Sequence, residues 1–315
     1  MGSVLQILKL TTNSSNALSQ VNVGGEGMSE SESDKIKQNI GASYDFFSSF
    51  GSSFWNWGMD QHAVHQKLAR EIPNYDQYGS DGCSEQLYFY TFNKIPRVAG
   101  QVRKVLEVGS GTGAGLNFIS RLEAGSEFVG LDISQKAVAR ANGTFARPGA
   151  LSFVHGDAER LPFPDGEFDA VINVESSHNY PNLGKFIAEV ARVLRPGGYF
   201  SHVDMYSTQR REAMNQCKTQ TKDRLVWLEE EDVTDHVKAS IRKRLSPNSV
   251  FLKRLKANTP RSVRPLVKSG IGAWFVKDRS SIDILSKLLS RRDDRSTNLQ
   301  AEIRTYAHTL AKKAP

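Results

Sequence analysis

The sequence predicts an α/β fold built on an open, mostly parallel sheet flanked by helices. Three observations carry that prediction. Short apolar runs follow one another at Lys104–Val108, Phe128–Asp132, Leu151–His155 and Phe168–Asn173, and runs of that length read as buried strands. Stretches with helical spacing of apolar residues lie between them, as strand–helix–strand crossovers require. Each run also ends in glycine or a polar residue, and in an open α/β sheet such ends line one crevice where ligands bind.

Composition sets the bounds. The chain has 315 residues, 39% of them apolar, enough for one α/β domain with added helices. No run approaches the ~20 apolar residues that cross a bilayer, so membrane insertion is not expected. The first ten residues are too short and too interrupted for a secretion signal. Cys83 and Cys217 are far apart and form no CxxC pattern; a reduced, cytoplasmic protein without a metal site is the expectation. The net charge of +7 could suit nucleic acid, a membrane surface or an acidic substrate.

Taken in order, residues 1–36 are rich in Ser, Asn, Gly and Glu and show no apolar period, and a disordered leader is expected. Residues 37–98 are aromatic, with Tyr44, Trp55 and Trp57 among many rings. Two readings stand for them: helices packed on the sheet edge, or a helical lid whose rings suit a cationic ligand.

Residues 99–207 form the predicted core. The first strand opens into Gly109-Ser-Gly-Thr-Gly113, where glycine lets the backbone turn sharply and approach a ligand. Helices follow over Ala114–Leu122 and over Gln135–Asn142, the second with Ser134 as N-cap. A third, Leu183–Leu194, has apolar residues at helical spacing and stops at Arg195-Pro-Gly-Gly198. Tyr199–Asp204 is the fifth strand. Residues 208–268 hold 15 Lys plus Arg against 7 Asp plus Glu and are expected to be a basic helical cap, inserted after that strand. Residues 269–315 should complete the sheet, with Ile271–Val276 as the sixth strand. Ile303–Leu310 is an antiparallel seventh, although Ala301-Glu-Ile-Arg304 can equally be helical.

The strand ends carry the chemistry. Asp132, closing the second strand, can accept both hydroxyls of a ribose. Asp157 in Gly156-Asp-Ala-Glu159 is a turn acid. His178 lies just past the fourth strand, and a histidine, whose ordinary pKa is about 6.5, can take a proton near neutral pH. Asp204 ends the fifth strand, where it can orient or charge-pair with His178. His202 shares its face by strand alternation.

These four strand ends, in this order, resemble class I S-adenosylmethionine (SAM)-dependent methyltransferases over Tyr44 to Tyr206. The phrases Phe153-Val-x-Gly-Asp-Ala-Glu159-x-Leu-Pro-Phe163, Asn173-Val-Glu-x-Ser-His178-x-Tyr-Pro181 and Glu189-Val-x-Arg-Val-Leu-Arg-Pro-Gly-Gly-Tyr199 resemble O-methyltransferases of polyketide-type lipids and fungal secondary metabolites. The mycobacterial phthiotriolone/phenolphthiotriolone dimycocerosate methyltransferases are the type. Ser110 stands where that type often has Cys. The resemblance implies a seven-stranded, Rossmann-like sheet with an aromatic lid and a helical cap. It implies SAM as cofactor, held by Gly109, Gly111 and Gly113 at the methionine end, with Glu107 on the ammonium. Asp132 with Ile133 would hold the ribose, and Asp157, Ala158 and Glu159 the adenine. Asn173, Tyr44 and Trp55 would complete the site. His178 is then the base that takes the proton of a small-molecule hydroxyl, aided by Asp204.

Other readings remain beside it. N- or C-methylation of a small molecule needs a different acceptor on the same scaffold. An RNA or protein methyltransferase would suit the charge, but Val-Glu-Ser follows Asn173 in place of the Pro-Pro-Tyr/Phe of base-amino methylation, and nucleic acid is not the expected partner. A nicotinamide dehydrogenase would show Gly-x-Gly-x-x-Gly. A SAM-binding protein without catalysis would keep the crevice alone.

Overall fold

The computed structural model describes residues 29–48, 56–73, 75, 81–96, 103–123, 125–251, 253 and 305–315. Three helices come first: α1 (Glu30–Ser48), α2 (His62–Glu71) and α3 (Cys83–Asn93). The core then alternates β1 (Lys104–Val108), α4 (Ala114–Ile119), β2 (Glu127–Asp132), α5 (Gln135–Phe145), β3 (Leu151–His155), β4 (Phe168–Val174), α6 (Leu183–Val193) and β5 (Leu194–Tyr206). After it come α7 (Thr208–Gln220), β6 (Leu225–Asp232), α8 (Thr234–Leu245) and β7 (Thr305–Lys313).

The seven strands form one sheet in the order β3-β2-β1-β4-β5-β7-β6. The first five are parallel, and β7 runs antiparallel between β5 and β6. Strand order reverses between β1 and β4, and a crevice opens at that switch point. Helices cover both faces. Val105, Phe128, Ala170 and Ile172 pack with Leu87, Leu116, Val138 and Ile241 from α3, α4, α5 and α8. Leu106, Val129 and Val171, next along the same strands, pack with Phe186 and Val190 of α6 and Met214 of α7. Burial on both faces explains why these strands read as continuous apolar runs.

Several boundaries differ from the sequence expectation. The disordered leader expected to residue 36 is helical from Glu30. Ser29 accepts from the Glu32 amide at 3.3 Å while its own amide donates to Glu32 Oε2 at 2.9 Å, a capping box that starts α1. Residues 1–28 lie outside the described residues. The expected lid divides: α1 lies across the crevice, whereas α3 is core, with Leu87, Phe89 and Phe92 at most 1% exposed.

The cap after β5 is not helical throughout, because Leu225–Asp232 is a strand. After the buried Leu225 its residues alternate exposed and half-buried along an edge, and the acids Glu229, Glu230 and Glu231 are met by Lys94, Arg211 and Lys218. Charged side chains on an edge strand also block pairing with another chain. Ile271–Val276, the expected sixth strand, lies outside the described residues. The expected stop at Arg195–Gly198 falls inside β5. Phe168 pairs with Leu194 but Ala170 with Tyr199, so the Pro-Gly-Gly stretch bulges out, with Gly197 at φ +77°.

Candidate functional site

The crevice floor is the turn after β1. Gly109 and Gly113 both have φ +79°. A Cβ on Gly109 would lie 1.9 Å from Ser176 Oγ, and one on Gly113 2.6 Å from the Phe153 ring. Both positions therefore require glycine for conformation and for space. Gly111 donates its N–H to Asp132 Oδ2 at 2.7 Å, and Ser134 donates to Oδ1 at 2.8 Å. Asp132 thus ties the glycine turn to the end of β2. Burial pushes its carboxyl above the usual range even though both amides pull it down. Each of its oxygens keeps a lone pair beyond the amide it accepts.

One end of the crevice lies over β2 and β3. Asp157 Oδ1 accepts the Glu159 amide at 2.9 Å. Lys37 of α1 reaches down to Asp157 at 2.8 Å and Glu159 at 2.7 Å. Burial lowers the pKa of that ammonium, but its two carboxylates outweigh burial and the net shift is upward. Asp45, also on α1, accepts from Ser134 Oγ at 2.6 Å and the Lys136 amide at 3.2 Å. Tyr44 accepts from Asn179 Nδ2 at 2.9 Å. Three residues of α1, Lys37, Tyr44 and Asp45, therefore hold it across the opening through five polar contacts.

At the other end, over β4, Glu175 has φ +48°, a conformation that costs a non-glycine residue on the order of 1–2 kcal/mol. Its Oε2 accepts the Trp57 amide at 2.9 Å, and burial pushes its carboxyl up to about 8. Trp57 belongs to a short segment held from three sides. Arg244 donates to the Asn56 carbonyl at 2.7 Å, Ser240 to the Trp57 carbonyl at 2.6 Å, and Met59 to the Cys83 carbonyl at 2.9 Å.

Beneath this end, Tyr88 donates to Glu107 Oε1 at 2.8 Å, and burial pushes the Glu107 carboxyl up to about 8. Asn173 donates to the Val108 carbonyl at 2.7 Å, bracing β4 against β1. Glu107 and Asn173 are both fully buried.

Beside the crevice, His178 sits on a 3-10 turn, Ser177–Asn179. Its Nδ1 meets Asp204 Oδ1 at 2.7 Å and its amide donates to Asp204 Oδ2 at 2.9 Å. Ser177 Oγ donates to Asp204 Oδ2 at 2.6 Å. Burial alone would raise the Asp204 carboxyl, but the neighbouring histidines hold it well below the usual range. An anionic Asp204 accepts from Nδ1–H and leaves the lone pair on Nε2. Asn179 Nδ2 lies 3.0 Å from that nitrogen. Arg210 braces the turn, donating to the carbonyls of Ser177 and Tyr180.

Of the residues singled out from sequence, Tyr44, Gly109, Gly111, Asp132, Ile133, Asp157, Ala158 and Glu159 line one crevice of about 840 Å³, counting its open mouth. Glu107, Gly113, Asn173, His178 and Asp204 surround it without lining it. Trp55 lies outside the described residues. Lys37, Asn56, Tyr88 and Glu175 also line the crevice, and sequence reasoning assigned them no ligand. Glu175 lay inside a quoted motif and Asn56 inside the aromatic stretch read as a lid, whereas Lys37 carried no local signal.

Residues 106–202 match a family model described as a methyltransferase domain. Over 117 residues the chain is 46% identical to a phthiotriol/phenolphthiotriol dimycocerosates methyltransferase of Mycobacterium tuberculosis, covering 36% of this chain and 43% of that protein. It is 44% identical over 127 residues to a fatty-acid O-methyltransferase of Mycolicibacterium smegmatis, covering 38% and 45%. The chain spans under half the length of these curated relatives. Among solved structures it resembles the [4+2]-cyclase SpnF, with a TM-score of 0.60, 19% identity, and 88% and 96% of the two chains covered. It also resembles a geranyl diphosphate methyltransferase in complex with SAM, at 0.55 and 16%, covering 84% and 100%. At such identities the likeness is one of fold. No described helix is long and apolar enough to cross a membrane.

Proposed function

From a chain that carries a methyltransferase domain over residues 106–202, we propose that it transfers a methyl group from SAM to a hydroxyl of a small, lipid-like or polyketide-derived molecule. The residues fit that cofactor. The glycine turn leaves room for nothing beyond backbone on the floor. Asp132 retains acceptor capacity for a ribose diol, and Asp157, which lines the same crevice, would take the adenine edge. The printed names of the two curated relatives, both lipid methyltransferases, support the substrate class.

When bound, SAM supplies a methyl group already activated by its cationic sulfur. The chain's work is then alignment and proton removal. The walls of the crevice hold donor and acceptor in line, an effect that can supply up to about 7–11 kcal/mol. His178 Nε2 takes the hydroxyl proton while Asp204 holds the ring in the required tautomer and balances the imidazolium.

The observation that carries this reading is the 2.7 Å contact between His178 and Asp204, one residue from the crevice-lining Asn179. His178→Ala should keep its affinity for S-adenosylhomocysteine, measured by calorimetry. It should lower turnover of a hydroxylated lipid acceptor by more than about tenfold, since a placed base contributes roughly 10²–10⁴-fold. Unchanged turnover would remove His178 from that role.

A further inference from the structure

Behind the His178–Asp204 pair lies a second histidine. His202 comes two residues before Asp204 on β5, on the same face of the strand. It is fully buried, and Ser177 and Asp204 beside it are at most 2% exposed. Its ring stacks on Phe200 with centroids 5.6 Å apart. His202 Nε2 is 3.8 Å from Asp204 Oδ2, too far for a direct hydrogen bond. Ser177 bridges the gap, its Oγ 2.9 Å from His202 Nε2 and 2.6 Å from Asp204 Oδ2. On the far side, His202 Nδ1 lies 3.1 Å from the Tyr206 hydroxyl and 3.4 Å from Thr309 Oγ1 on β7. Proton transfer at His178 and Asp204 does not by itself call for any of these groups.

The hydrogens of this cluster have a direction. A serine hydroxyl carries one proton, and an anionic carboxylate carries none. Asp204 receives four donors: His178 Nδ1–H and the Met205 amide on Oδ1, and the Ser177 hydroxyl and the His178 amide on Oδ2. The Ser177 proton therefore points at Asp204, and the hydrogen between Ser177 and His202 must come from Nε2. Either hydroxyl facing Nδ1 can donate to that nitrogen. The chain then runs one way, from Tyr206 to His202 to Ser177 to Asp204. In a dry interior each bond of such a chain strengthens the next. A His202 hydrogen on Nδ1 alone would make Nε2 an acceptor and draw the Ser177 proton away from Asp204.

We propose that His202 is a positioning residue for the base: its Nε2–H turns the Ser177 proton onto Asp204 and thereby fixes how Asp204 holds His178. The inference rests on the role proposed above for His178. Other titratable or charged groups face the same carboxylate, namely Tyr44 of α1, Glu175 and Tyr180 past β4, Tyr206 of β5 and Arg210 of α7. His308 of β7 faces His202. The link from His202 is distinct because it passes through a hydroxyl whose proton can point either way. Without Nε2–H, Ser177 is a weaker donor. Asp204 then keeps more of its charge for His178 and holds the imidazolium more firmly.

Nuclear magnetic resonance of the ligand-free full chain tests this without a substrate. The ring-nitrogen shifts of His202, identified by their absence in His202→Phe, show which nitrogen carries the hydrogen. Hydrogen on Nε2 is expected, and a bare Nε2 in the unsubstituted chain overturns the proposal however the variants fold. The ring signal of His178, identified by its loss in His178→Gln, is then followed against pH. In His202→Phe, which keeps a ring against Phe200, its midpoint should rise by about half a pH unit, or about threefold in proton affinity. His202→Gln returns an N–H to the same place and should stay within about 0.2 unit of the parent. In a Ser177→Ala background, His202→Phe should move the midpoint no further, because the bridge is gone. An unchanged midpoint in His202→Phe, or the same rise with and without Ser177, overturns the positioning role. Turnover separates this from the base assignment: His178→Ala with unchanged turnover removes the base, while the shifts still decide whether His202 sets the Asp204–His178 pair.

Discussion

The two ends of the crevice differ in how their polar groups are satisfied. Over β2 and β3 every named carboxylate has a partner: Asp132 has two amides, and Asp157 and Glu159 share Lys37. Over β4, Glu175 and Asn56 present unpaired atoms. The first end is held shut by a helix whose own cation reaches the carboxylates, and opening it means trading one set of contacts for another. The second end is held open by α8, which grips the Asn56–Trp57 segment through its backbone carbonyls and leaves its crevice-facing side-chain atoms unpaired, so a ligand there gains contacts without displacing any. A preorganised polar site works in this way, because its reorganisation is already complete before binding.

Substitutions can break this contrast, and the largest effect is expected at the open end. Arg244 is 3% exposed and binds Asp81 through two hydrogen bonds of 2.8 Å each, together with Ser84 and the Asn56 carbonyl. Arg244→Met leaves Asp81 without its cation and frees the Asn56 segment. Removing one partner of a buried pair costs about 3–5 kcal/mol, read from denaturant unfolding. A loss below about 1 kcal/mol would show that the segment is held by other means.

A smaller effect concerns pH. Burial raises the Glu175 carboxyl to about 8, with Asp204 adding to the shift and the Trp57 amide and Arg244 opposing it. A carboxyl whose folded pKa lies above its unfolded value contributes stability that is complete below about pH 4.5. That contribution is lost as pH rises toward 8. The ligand-free chain should therefore melt at a lower temperature at pH 8 than at pH 6. Glu175→Gln should remove about 2 kcal/mol of that decline, at ~1.4 kcal/mol per unit of pH. Glu107, likewise raised to about 8 by burial, keeps the remainder. Identical pH slopes in variant and parent would mean that the Glu175 carboxyl titrates in its ordinary range.

The smallest effect is at the closed end. Lys37→Met breaks a partly buried pair whose Asp157 side chain is 29% exposed, and a loss of about 1 kcal/mol is expected. Salt sharpens the test, since the parent's melting temperature should fall more than the variant's between low and high ionic strength. Equal salt sensitivity would show that Lys37 does not hold α1 down electrostatically.

Reading the sequence located the sheet and the floor of the site, for a local reason. The strands β1, β2 and β4 are buried on both faces, so each is a continuous apolar run whose polar end marks the crevice, while the edge strand β3 alternates buried and exposed residues over Leu151–Phe153. The glycine turn is legible because Gly109 and Gly113 have conformations and clearances that other residues lack. Asp132 and Asp157 follow from their places at strand ends. Even the His178–Asp204 pair was accessible, since each residue closes or follows a neighbouring strand. Residues 225–232 were misread because an edge strand bearing acids carries a weaker apolar signal than a buried one, and α1 was cut short at its start because a capping box can begin a helix that has little apolar period.

The tertiary structure decided what the chain's distant parts do for one another. Asn56 lies between two tryptophans that suggested a lid, but its own place in the crevice is set by Arg244 and Ser240, far along the chain, which pin the backbone of its segment. Lys37 joins the site only because α1 folds back over β2 and β3. Strand patterns are written into neighbouring residues by burial, which is a local demand. The pairing or orphaning of a polar atom depends on which remote groups arrive beside it, and only the folded chain fixes that.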